Sequence, residues 1–219
     1  IREDVVAKVR ARAQAEGLWA FQMPKSRGGQ GVGVVGMAAC YEEAARSPFG
    51  PAMFNAAPPD DGNMILLNKI LPNEAMKQRW LQPIIDGAVR SSFAMTEPKG
   101  CGSDPSLTYT KAEKRGDKWV ITGRKWFITG AEGAQHFILL ARTSDDERKG
   151  LTAFLFDADQ PGWRIERRIP IMGPEEHGGH CEIEFDGLQV RADDVLLGEG
   201  KGLRVTQMRL GPARLTHCM

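Results

Sequence analysis

Between Ser91 and Phe185 the chain runs as short β-rich segments parted by turns, with no helix-forming stretch between them. The runs Trp119-Val120-Ile121-Thr122, Lys125-Trp126-Phe127-Ile128-Thr129, His136 to Thr143, Leu151 to Asp157 and Cys181 to Phe185 are rich in β-branched and aromatic residues. Turns are read at Arg115-Gly116-Asp117-Lys118, Thr122-Gly123-Arg124 and Asp186-Gly187. Parallel strands need a long crossover, usually a helix, and this region offers none. The spacing therefore predicts an antiparallel sandwich or barrel.

The residues before Ser91 read differently. Val5, Val9 and Ala13 fall at helical spacing, and Gly17 is placed to stop that helix. Met37 to Arg46 is rich in helix formers and ends at Ser47-Pro48. Asn63 to Lys69 and Asn73 to Leu81 are predicted as short helices parted by Pro72, and Asp86-Gly87 as a turn. Helical character returns at Leu203 to Leu210. The fold class expected is α+β: an N-terminal all-α domain over 1–90, an antiparallel β-barrel domain over 91–200, and the start of a C-terminal helical bundle over 201–219. A helix cut that short cannot bury its own apolar face, so the chain is expected to be part of a longer polypeptide. The absence of an initiator Met points the same way.

Net charge excludes the simplest electrostatic partners. At +1 over 219 residues there is no basic surplus for nucleic acid or an anionic membrane. No apolar run approaches the roughly 20 residues of a bilayer-spanning helix. The four cysteines, Cys40, Cys101, Cys181 and Cys218, lack CxxC spacing and are expected to be free thiols.

Several motifs invite chemistry and are better explained otherwise. Gly31-Val32-Gly33-Val34-Val35-Gly36 matches GxGxxG, but Met23 to Gly29 cannot be the buried strand that must precede a dinucleotide loop. His177 and His180 stand near Glu175, Glu176 and Glu182, yet Gly178-Gly179 makes a poor ligand platform, so no metal is expected. No Gly-x-Ser-x-Gly elbow is present. Asp60-Asp61 could act as a base, but Pro58-Pro59-Asp60 reads better as a helix start. What remains is Phe93-Ala94-Met95-Thr96-Glu97-Pro98 followed by Gly100-Cys101-Gly102-Ser103-Asp104. A strand ending in threonine beside a small-residue turn lets backbone N–H groups approach a flat, phosphate-bearing ligand. Trp126 to Thr129 could add an aromatic wall and a second hydroxyl.

These two segments resemble the flavin-site signatures of the acyl-CoA dehydrogenase family. Those are an aromatic or apolar strand, Thr-Glu-Pro and a Gly/Ala-rich turn ending in Ser-Asp, and a run of Lys, two aromatics, Ile or Ser, then Thr or Ser. The turn here is one residue longer than the commonest form, Lys99 being the extra residue, as in the branch of large multidomain and related bacterial members. Pro24 with Gly28-Gly29, Asn63-Met64 and Gly198 to Gly202 extend the resemblance along the whole chain. It implies FAD as cofactor, with Phe93, Met95, Thr96, Gly102, Ser103, Phe127, Ile128 and Thr129 as its contacts. Met95 and Thr96 would serve the pyrimidine side, Ser103 the pyrophosphate, Phe127 the ring and the Thr129 hydroxyl its N5 edge. Ser103 and Arg214 are the implied acyl-CoA contacts.

The implied reaction, part of fatty-acid β-oxidation, is dehydrogenation of an acyl-CoA to trans-2-enoyl-CoA, by α-proton abstraction and hydride transfer to flavin N5. The implied partners are an electron-transfer flavoprotein and further copies in a homodimer or homotetramer. The implied location is the cytoplasm in bacteria, and the mitochondrial matrix or peroxisome in eukaryotes. The catalytic base has no candidate up to Met219 and is expected beyond it, so this piece alone is expected not to turn over. A flavin oxidase or monooxygenase on the same scaffold, and a non-catalytic flavin- or acyl-CoA-binding module, are the alternatives.

Overall fold

The computed structural model describes residues 2–102, 104–147, 149–172 and 179–218. Two compact units form: one from 1–88 and 209–219, the other from 89–208.

The first unit is helical, with α1 (Glu3–Ala15), α2 (Val34–Ala44), α3 (Gly50–Met53), α4 (Asp60–Ile70), α5 (Glu74–Trp80) and α6 (Gln82–Ile85). Its interior is filled by Met64, Leu66, Leu67, Trp80, Leu81 and Ile84. Of the stripe expected on α1, Ala13 is buried, whereas Val5 and Val9 are exposed. The Asn73 side chain caps α5 by accepting from Met76 N at 2.9 Å, so this cap rather than Pro72 sets the helix start. The helix expected from Asn63 begins earlier, with Asp60 and Asp61 buried in its first turn. There the carboxylates face the positive end of the helix dipole. Asp61 accepts from Gly62 N at 2.6 Å and from the Tyr41 hydroxyl at 3.2 Å. Burial pushes its carboxyl above the ordinary range, against the pull of these donors and of Arg209. Arg209, near the middle of α7 (Gly202–Cys218), donates to Asn63 Oδ1 and to Pro59 O, each at 3.3 Å. The GxGxxG segment follows a 3-10 turn at Lys25–Arg27, not a strand, and Gly33 serves as the N-cap of α2.

The second unit is built on one sheet: β1 (Ser91–Ala94), β2 (Lys111–Arg115), β3 (Lys118–Thr129), β4 (His136–Arg142), β5 (Leu151–Asp157), β6 (Trp163–Arg168), β7 (His180–Arg191) and β8 (Val195–Leu196). The strand order is β6-β7-β3-β2-β4-β5-β8, with β1 pairing β4 in parallel. The other extended pairings are antiparallel. The sheet is not closed into a barrel, because its path ends at β6 and β8 among the described residues.

Two of the expected turns lie inside long strands, one of them at a β-bulge. Gly123 lies within β3 at φ 153°, and a Cβ there would stand 2.6 Å from Thr110 Cα. Gly187 lies within β7, where the register with β3 skips one residue, from Ile121–Leu188 to Thr122–Asp186. The glycine signals are real, but they mark a close approach at Gly123 and a bulge at Gly187 rather than chain reversals. Arg115 to Lys118 is a hairpin turn, as expected.

An aromatic cluster holds the sheet's buried face. Phe137 stacks on Phe156 at 4.7 Å, Trp163 lies 4.9 Å from Phe137, and Phe185 meets Phe156 edge-on at 5.8 Å. Phe156→Ala is expected to cost about 3–5 kcal/mol of stability, read as a lower urea midpoint, because so crowded a site cannot collapse around the void. No described helix is long and apolar enough to cross a membrane. Cys101 and Cys181 are buried and Cys40 is half-buried, none of the three in a disulfide; the Cys218 side chain lies outside the described residues.

Candidate functional site

The segment that leaves β1 crosses the middle of β3. Trp126 N donates to Thr96 O at 3.0 Å, and the Thr96 hydroxyl donates back to Trp126 O at 2.6 Å. With its proton committed there, the Thr96 oxygen has lone pairs left to offer, whereas the resemblance implies a donor. Glu97 N donates to Cys101 O at 2.8 Å, which closes the turn over Pro98 to Gly100. Gly100 adopts φ 90°, and a Cβ there would lie 2.4 Å from Leu107 O. Gly102 has open space where its Cβ would be. Asp104 accepts from Ser106 N at 2.9 Å and Ser106 Oγ at 2.7 Å, which caps the short turn Pro105–Leu107. Ser103 and His177 lie outside the described residues.

A bulge in β3 shapes the wall itself. Between the pairs Lys125–Ile183 and Ile128–Cys181 the strand carries an extra residue. Phe127 sits there at φ 50°, a left-handed conformation that costs an aromatic residue of order 1 kcal/mol or more. The bulge turns Phe127 outward, so that the residue is 45% exposed, its ring edge-on to Trp126 at 4.9 Å. Ile128 is buried in the core and can offer the site only its backbone. Thr129 is half-buried; its carbonyl accepts from Ser92 Oγ at 2.7 Å, and its hydroxyl lies 3.0 Å from His180 Nδ1. Phe93 pairs with Ile138 across β1 and β4 and is half-buried, as is Met95. Arg214 is exposed on α7, in the stretch that belongs to the helical unit.

Beneath this wall lies a buried ion pair. Lys125 Nζ donates to Glu97 Oε1 and to Met95 O, both at 2.8 Å, and neither charged side chain reaches solvent. Glu97 also accepts from Tyr109 N at 2.7 Å and Thr110 N at 2.9 Å. Burial disfavours the carboxylate, but the Lys125 charge and these donors outweigh it and hold Glu97 below its ordinary range. For Lys125, burial disfavours the ammonium and lowers its pKa against the pull of Glu97. Both residues stand within the sequence motifs, yet nothing in their spacing shows that they meet. A cavity of ≈ 590 Å³ borders the same turn at Glu97, Lys99, Gly100, Tyr109 and Arg124. Its lining includes neither Phe127 nor Thr129, so it is distinct from the wall.

The profile of the acyl-CoA dehydrogenase N-terminal domain matches residues 2–88, and that of the middle domain matches residues 92–188. The chain belongs to the acyl-CoA dehydrogenase family. Acyl-CoA dehydrogenase family member 11 of Pongo abelii is 36% identical over 98% of the chain, which spans 28% of that protein. A solved Mycobacterium abscessus protein assigned as an acyl-CoA dehydrogenase superposes with a TM-score of 0.90 at 35% identity. The match covers 97% of this chain and 53% of that one. A glutaryl-CoA dehydrogenase of Mycobacterium smegmatis, solved with FADH2, shares the fold at a TM-score of 0.75 and 24% identity, over 95% of this chain and 52% of that one. The chain thus spans between about a quarter and about half of the length of these three relatives. In acyl-CoA dehydrogenase terms, the two signature segments form adjoining parts of one wall in the middle domain.

Proposed function

We propose that the protein carrying this chain binds FAD against the wall formed by Met95, Thr96 and Phe127 to Thr129, and dehydrogenates an acyl-CoA thioester to the trans-2-enoyl-CoA. The observation that carries this reading is Phe127, an exposed aromatic ring held outward by a strained bulge between two threonine hydroxyls. Such strain persists where a ligand surface requires it.

The residues present fit the cofactor. Phe127 offers an apolar face, the Thr129 oxygen a polar contact at the wall's edge, and the Gly100 to Gly102 turn a backbone free of side chains. FAD would supply the hydride acceptor. The chain's part is to bind the ring, exclude water from one face and place polar groups where negative charge develops. Glu97 is committed to three donors and cannot serve as the proton-abstracting base. That carboxylate is proposed to lie beyond Met219, with Ser103 and Arg214 as acyl-CoA contacts. An electron-transfer flavoprotein would take the electrons, and the assembly would be a homodimer or homotetramer.

The test is anaerobic titration of the intact protein with acyl-CoAs of increasing length. Loss of the flavin's visible absorption is the expected result; a preparation that takes up no FAD would refute the reading. Phe127→Ala is expected to weaken FAD binding roughly 3–10-fold, the scale of one aromatic contact.

A further inference from the structure

Thr129 and His180 face each other across the pairing of β3 with β7, which puts their side chains on one face of the sheet. The hydroxyl oxygen lies 3.0 Å from the ring nitrogen Nδ1. Both residues are half-buried, and the backbone on either side is fixed. Gly130 N donates to Gly179 O at 2.8 Å, and Ile169 N donates to His180 O at 2.7 Å. The charged neighbour on β6, Arg168, is paired with Glu132. The flavin reading given above assigns a role to Thr129 but none to His180.

A neutral imidazole carries one proton on either nitrogen, and a hydroxyl has one proton and two lone pairs. When the ring proton is on Nε2, Nδ1 accepts the Thr129 proton, and the threonine can only accept from a third partner. When the ring proton is on Nδ1, it donates to the threonine oxygen, and the hydroxyl proton is free to turn toward that partner. The exchange requires one nitrogen to release a proton to water and the other to take one up, which a half-buried ring permits. Oxidised flavin presents a lone pair at N5, and reduced flavin presents an N–H there. A threonine able to act as donor or acceptor would match both without movement of a heavy atom.

We propose that His180 is a positioning residue that sets the direction of the Thr129 hydroxyl proton and so tunes the redox balance of the bound flavin. The proposal rests on the flavin reading, and the test separates the two. The FAD-loaded intact protein is equilibrated with a reference redox dye, and the ratio of oxidised to reduced flavin is read spectroscopically. Thr129→Val and the shape-conserving His180→Phe are each expected to change that ratio about fivefold in the same direction, the scale of one net hydrogen bond. The double variant should shift no further than the larger single, because one interaction is lost in each. His180→Asn, which keeps a polar atom near the Nδ1 position, should return the ratio to within about twofold of the parent.

If Thr129→Val moves the ratio while His180→Phe does not, or if the two shifts add, the proposal is wrong and the flavin reading stands. If no FAD is taken up, or Thr129→Val has no effect, the flavin reading fails and takes the proposal with it. Should His180→Phe not fold, nitrogen NMR of the His180 ring decides. A change in its protonated nitrogen between oxidised and reduced protein supports the proposal, and an unchanged tautomer overturns it.

Discussion

Lys125→Met is expected to destabilise the sheet unit by about 3–5 kcal/mol, because it leaves Glu97 as a buried carboxylate without its counter-charge. The methionine fills most of the space, so the loss is electrostatic rather than a cavity effect. Urea denaturation should show it as a lower midpoint with an unchanged slope. Combining Lys125→Met with Glu97→Gln should cost less than the sum of the single changes, since the second removes the stranded charge. The pH dependence carries a further signature. In the parent chain Glu97 is held below its ordinary range, so its contribution is fully present above an unfolded pKa of about 4.3 and is lost as pH falls through the lower folded value. In Lys125→Met, burial acts with less opposition and drives the carboxyl upward. Its effect then reverses, and stability falls as pH rises from about 4.3 through the raised folded value. A variant with the parent's acid profile would show that the pair does not govern the site.

Gly100→Ala is expected to be about as damaging. Its Cβ would stand 2.4 Å from the Leu107 carbonyl and 2.3 Å from the Tyr109 ring, on a residue at φ 90°. The ring can swing aside, but the carbonyl belongs to the short turn that Asp104 caps and cannot. A loss of about 2–4 kcal/mol follows from combined backbone strain and displacement of the turn. FAD retention on gel filtration should fall with it. Gly102→Ala, which meets open space, is expected to leave stability within about 0.5 kcal/mol of the parent, the range of ordinary surface changes.

The order of helices and strands was legible because hydrophobic periodicity and turn residues report it locally. What escaped is non-local. Lys111–Arg115 and Trp163–Arg168 carry too much charge to read as strands, and their place comes from pairing with β3 and β7. Gly123 and Gly187 look like turns in the sequence because a glycine signals left-handed or crowded backbone without saying whether the chain reverses. At the site, the two signature segments were visible, but the bulge that exposes Phe127 was not. It depends on a mismatch of register with a strand that begins more than fifty residues later, at His180. The Lys125–Glu97 pair was hidden for the same reason. A lysine beside two aromatics has no sequence mark that says it is buried.

Arg209 gives the chain an order of assembly. The sheet unit is one uninterrupted stretch of sequence, whereas the helical unit is completed from both ends of it. The guanidinium that bonds Asn63 and Pro59 arrives 146 residues after Asn63 and 150 after Pro59. During synthesis the helices emerge first, but they must wait for α7 with Asp61 and its neighbours lacking that cation. The sheet can close as soon as its own residues are out. Of these two units, the one whose synthesis begins first is therefore the one completed later.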